Sequence, residues 1–91
     1  MTRLERRLIT AMQCGFVIYH NDGHRWINFE AGQGNPYIFG EIFEKVKKFK
    51  IKTLRSKIYG SYDEALDEID RFLVSMGFDK LEKWYIDDGG M

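Results

Sequence analysis

The chain has 91 residues, 44% hydrophobic, 31% charged and 15% aromatic, which fits one compact domain with a modest core and excludes a disordered polymer. One cysteine excludes an internal disulfide framework and leaves a single thiolate for any zinc site. The net charge is zero, but residues 1–62 carry 11 Lys/Arg against 5 Asp/Glu and residues 63–91 carry 3 against 9, so overall charge speaks against generic nucleic-acid binding.

The first segment reads as a helix. Thr2 and Glu5 have the spacing of a capping box, Leu4, Leu8, Ala11 and Met12 form an apolar stripe, and Gly15 is a natural stop. Residues 16–30 read as a β-hairpin around Asn21-Asp22-Gly23. With Asp22-Gly23 as a two-residue turn, Phe16 pairs with Phe29, Ile18 with Ile27 and His20 with Arg25. That register gathers Phe16, Ile18, Ile27 and Phe29 on one face and Val17, Tyr19, Trp26 and Asn28 on the other. A three-residue loop with Gly23 as a bulge is the competing register and moves Trp26 to the side of Phe16. The first segregates apolar from mixed residues better.

Residues 31–36 have the composition of a loop, with Asn35 as a helix cap and Pro36 at the first helical position. Ile38, Phe39, Ile42, Phe43, Val46 and Phe49 then predict a helix over about 36–49, despite Gly40. Lys50-Ile51-Lys52-Thr53 alternates as a strand, although Ile51, Leu54 and Ile58 also fit a helical stripe; a third strand stabilises an isolated hairpin, so 50–59 is read as strand. Ser61 and Glu64 form a second capping box before Ala65, Leu66, Ile69, Phe72, Leu73 and Met76, and Gly77-Phe78 ends that helix. Leu81–Ile86 reads either as a short added strand or as an irregular tail. The expectation is a small α+β domain over 1–86, in the order α-β-β-α-β-α, with 87–91 frayed.

Two surfaces carry the functional expectation. Tyr19 and Trp26 share a hairpin face, and such residues anchor interfaces by combining large area with a polar handle. Lys45, Lys47, Lys48, Lys50, Lys52, Arg55 and Lys57 place seven positive charges in thirteen residues without an acid. Such a run contacts phosphates through counterion release, contacts an acidic protein, or shields a sheet edge. Asp63, Asp67 and Asp70 share a helix face, where acidic residues also suit the helix dipole.

Other constellations are weaker. His20 and His24 straddle a turn and are the only residues resembling a metal set, which needs three or four converging ligands. Cys14 reads as a small buried hydrophobe rather than a nucleophile. Gly32-Gln33-Gly34 lacks the remainder of any phosphate-binding fingerprint.

The α-β-β-β-α stretch overlaps the double-stranded-RNA-binding fold, but the helix opening Tyr62-Asp63-Glu64-Ala65 is acidic where that fold presents lysines. A strand entering a helix at Ser61-Tyr62-Asp63-Glu64-Ala65 is similar, over about 20 residues, to the sheet-plus-helix DNA-binding arms of tyrosine recombinases. In size and class the chain resembles small accessory and inhibitor proteins of phages and mobile elements.

The expectation is therefore a non-enzymatic module without a cofactor, an inhibitor or adaptor that docks on a protein. Nucleic-acid binding through 45–57 is the first alternative, and metal or small-molecule binding at His20/His24 the second. No apolar run approaches the roughly 20 residues of a membrane span and the first residues lack a signal-peptide core, which predicts a cytoplasmic protein without membrane contact. The dipolar charge layout permits homo-oligomers.

Overall fold

The computed structural model describes residues 2–30 and 38–87. It is a small α+β domain in the order α-β-β-β-β-α-β. The elements are α1 (Arg3–Cys14), β1 (Val17–Tyr19), β2 (Arg25–Glu30), β3 (Ile38–Lys47), β4 (Lys50–Tyr59), α2 (Tyr62–Ser75) and β5 (Tyr85–Asp87), with a 3-10 turn at Leu81–Lys83. The five strands form one antiparallel sheet in the order β4-β3-β2-β1-β5.

Both helices start as their side chains dictate. The Glu5 amide donates to Thr2 Oγ1 and the Glu64 amide to Ser61 Oγ, each at 3.1 Å. Both stop at a glycine in the left-handed region, Gly15 with φ 71° and Gly77 with φ 79°. After Gly77, the Phe78 amide returns 2.8 Å to the Leu73 carbonyl.

The helices pack on one side of the sheet. Leu8, Ala11 and Met12 of α1 and Ala65, Leu66, Ile69 and Leu73 of α2 are buried in one cluster with Ile18, Ile27, Phe29, Ile38, Ile42 and Tyr59. Leu81 and Trp84 complete it. Cys14, expected in the core, is exposed. The buried stripe of α1 ends at Met12, and Cys14 lies about 200° further round the helix.

The hairpin has the expected register, Ile18 opposite Ile27 and Tyr19 opposite Trp26. The His20 amide donates to the Arg25 carbonyl at 3.0 Å and the Gly23 amide to the His20 carbonyl at 2.9 Å. The strand expected over 50–59 is β4, and the last segment forms β5, which takes in Asp87 opposite Val17. The loop at 31–36, with its glycines and the Asn35 cap, and residues 88–91 lie outside the described residues.

The helix expected over 36–49 is instead strand β3 over its described part, followed by a tight turn into β4. Its apolar residues fit both periods: Ile38 and Ile42 are buried beneath the helices, while Phe39 and Phe43 alternate onto the opposite side. Because both sides are apolar, the polar–apolar alternation of a half-buried strand was absent. Gly40 decides the matter. A Cβ there would lie 3.1 Å from the rings of both Phe29 and Tyr59, so the glycine that weakens a helix is what lets three strands close under two aromatic side chains.

Candidate functional site

Strand alternation puts Val17, Tyr19, Trp26, Asn28, Phe39, Glu41, Phe43, Ile58 and Tyr85 on the side of the sheet away from the helices. Among the described residues neither helix covers this side, and none of these side chains belongs to the core or packs against it. Tyr85 is 51% exposed and Ile58 55%; Tyr19, Trp26, Phe39 and Phe43 are half-buried by one another and by the sheet.

The aromatic residues form a row across four strands. Tyr85, Tyr19, Trp26 and Phe43 stand directly opposite one another in the β5–β1, β1–β2 and β2–β3 ladders. Their ring centroids are 5.5, 6.5 and 5.8 Å apart in that order, with Tyr19 and Tyr85 stacked. Cross-strand aromatic pairs of this kind favour the sheet modestly, while presenting a flat, rigid apolar strip to solvent.

Sequence reasoning found Tyr19 and Trp26 and missed Phe43 and Phe39. Neither carried a strand signal, because β3 is apolar on both sides and lacks polar–apolar alternation. Trp84, beside Tyr85, is turned the other way: it is buried and its indole N–H donates to the Asp79 carbonyl at 2.9 Å.

The basic stretch does not form one face, because of a bulge. Ile42 pairs with Arg55 but Phe43 pairs with Thr53, so Leu54 is an extra residue and the side-chain alternation of β4 reverses there. Arg55 and Lys57 therefore lie towards the helices. The Arg55 guanidinium sits 5.2 Å from the Phe72 ring centroid, and Lys57 Nζ is 2.6 Å from Glu68 Oε1.

Lys45 and Ile51, opposite each other, lie on the aromatic side. Together with Lys48, Phe49 and Gly23 they line an open groove of about 530 Å³ against Tyr19 and Trp26. The two surfaces read separately from the sequence thus meet at one end of the sheet. Lys47 and Lys50 pair at the end of the β3–β4 ladder and Lys52 stands opposite Glu44.

The acidic residues of α2 are put to separate uses. Asp63 is in its first turn, Asp67 is ion-paired with Arg71 at 2.7 Å, and Asp70 Oδ1 accepts the Leu81 amide at 2.8 Å. Asp70 therefore anchors the 3-10 turn to α2.

His20 is held between two carboxylates, with Nδ1 3.1 Å from Asp22 Oδ2 and Nε2 3.1 Å from Asp79 Oδ2, and its ring meets Trp84 edge-on. The exposed His24 gives only its backbone amide to Asp22 Oδ1, at 2.8 Å. Desolvation pushes the Asp22 carboxyl upwards, but the His24 amide, His20 and Arg25 outweigh it and hold the group below its ordinary value of 3.8. Among the described residues no group of three or more His, Cys, Asp or Glu is placed to hold a metal ion, and no helix is long and apolar enough to cross a membrane.

No family model, no curated protein and no solved structure matches the chain.

Proposed function

We propose that this chain is a small non-enzymatic protein-binding module, an inhibitor or adaptor of a larger protein, of the accessory type found in phages and mobile elements. The observation that carries the reading is the row Tyr85–Tyr19–Trp26–Phe43, uncovered by either helix among the described residues. Phe39 and Ile58 extend it along the sheet. A contiguous exposed apolar patch on a small domain marks an interaction surface, and aromatic anchors dominate the energetics of such surfaces.

A protein fits this face better than a polyanion does. Lys45 and Lys48 rim one end, but Glu41 and Glu30 stand on the same side further along the strands. Those carboxylates repel phosphates, whereas a mixed-charge rim around an apolar centre is the ordinary anatomy of a protein interface.

The test is capture of a partner from lysate treated with nuclease, then titration of that partner against Tyr19→Ala, Trp26→Ala and Phe43→Ala variants. Trp26→Ala is expected to weaken binding by about 30-fold, as loss of a central anchor worth about 2 kcal/mol does. Circular dichroism and the unfolding transition should change little, since Trp26 lies outside the core. Unchanged affinity in all three variants overturns the reading.

A further inference from the structure

The β3–β4 hairpin outruns its sheet. β2 pairs with β3 only as far as Arg25 opposite Glu44, and the last backbone tie from that side is the Lys45 amide to the His24 carbonyl, 2.7 Å. β3 and β4 remain paired to Lys47 opposite Lys50. Residues 46–51 therefore project as a two-stranded arm, two residues per strand capped by the Lys48-Phe49 turn, or roughly 10 Å.

The composition of this arm is one-sided. Lys45, Lys47, Lys48, Lys50 and Lys52 lie on it or at its root, no acid lies between 45 and 57, and none of the five joins an ion pair among the described residues. The nearest carboxylate along β3, Glu44, is held at 2.8 Å by Arg25 Nε. At the tip Phe49 is 93% exposed, with Lys48 Nζ 5.4 Å from its ring centroid. Protection of an edge strand explains lysines, but not a bare phenylalanine among them.

We infer that the arm is a duplex-DNA contact, inserted into the major groove with its lysines on the flanking phosphates and Phe49 against the base edges. This contact goes beyond the protein-docking row, which it adjoins at the groove shared by Lys45, Lys48, Phe49 and Trp26. The dimensions fit: the groove of B-form DNA is about 12 Å wide and 8.5 Å deep and admits a two-stranded ribbon. The deep, narrow major groove of duplex RNA does not. Residues 45–52 include no Arg, Asn or Gln to read base edges by paired hydrogen bonds. Recognition is accordingly of charge and groove shape, with little dependence on base sequence.

The experiment is fluorescence anisotropy with the full chain and three labelled probes: a short DNA duplex, an RNA duplex of the same sequence, and poly-glutamate. DNA is expected to bind tightest, with affinities that agree between unrelated sequences. Between about 50 and 200 mM salt the log–log slope should approach −4.5, as five phosphate contacts require. Combined reversal of Lys47, Lys48 and Lys50 to Glu should abolish binding with the circular dichroism spectrum intact.

Lys50→Gln should lower the slope by about one and Phe49→Ala should weaken binding without changing it. Arg71→Gln, a cation removed from the opposite side of the sheet, should change neither. Equal binding of poly-glutamate assigns the arm to an acidic protein and overturns the inference. So does equal binding of duplex RNA, or no DNA binding at the lowest salt.

Discussion

Gly40 and Tyr59 are the two residues on which the sheet depends most locally. The space beside Gly40 is already filled by the rings of Phe29 and Tyr59. Gly40→Val must push both aside, and overpacking of this kind costs about 1–3 kcal/mol; a lowered urea midpoint at unchanged slope is the expected readout. Tyr59 is 1% exposed, and burial raises its phenol above the ordinary value of 10.0, with Arg55 acting in the opposite direction. The unfolded chain therefore releases this proton at lower pH than the folded one. The stability Tyr59 contributes is complete below pH 10 and is lost as pH rises through its folded value. Tyr59→Phe should flatten the alkaline limb of a stability–pH curve, and an unchanged limb would show that another group governs it.

At the scale of elements, the helices were legible because each is specified by local signals that tertiary structure has no reason to override. Thr2 and Ser61 cap as their spacing requires, and glycine stops both. The hairpin was equally legible, because only one register puts Ile18, Ile27 and Phe29 together. β3 was not. A strand apolar on both sides lacks a period-two signature, and here the second apolar side is the candidate site itself. The misread element and the missed residues Phe39 and Phe43 are thus one physical fact. Asp70 was hidden for a different reason. Its carboxylate reaches a backbone amide eleven residues on, a distance no spacing rule covers. Asp70→Ala should leave the Leu81 amide unsatisfied and cost about 1–3 kcal/mol, with Asp70→Asn retaining most of the bond. Asp63→Ala, at the exposed start of α2, should stay within about 0.5 kcal/mol, and comparing the two by denaturant unfolding separates a structural acid from a solvated one.

For the molecule as a whole, one side of the sheet is packed under the helices, and among the described residues the other is left uncovered by them. The core side needs its last segment: Leu81 is 1% exposed and Trp84 6%, and β5 pairs with β1 across three residues. A chain ending at Asp79 should lose its cooperative unfolding transition, because it leaves an uncovered cavity and an unpaired strand together. A sharp transition retained by that truncated chain would mean that β5 is an accessory to the core rather than part of it.

The position of β5 has a bearing on how the protein comes to exist. It docks beside β1, so the last described strand of the domain completes a ladder with the first. The β3–β4 ladder closes through a tight turn and can form early, but the β1–β5 contact must close a loop of most of the chain. Until the ribosome has released residues 81–87, β1 keeps an open edge and the core lacks Leu81 and Trp84. The nascent domain therefore has no finished state to settle into before residues 81–87 emerge, and its aromatic row, which ends at Tyr85, waits with it.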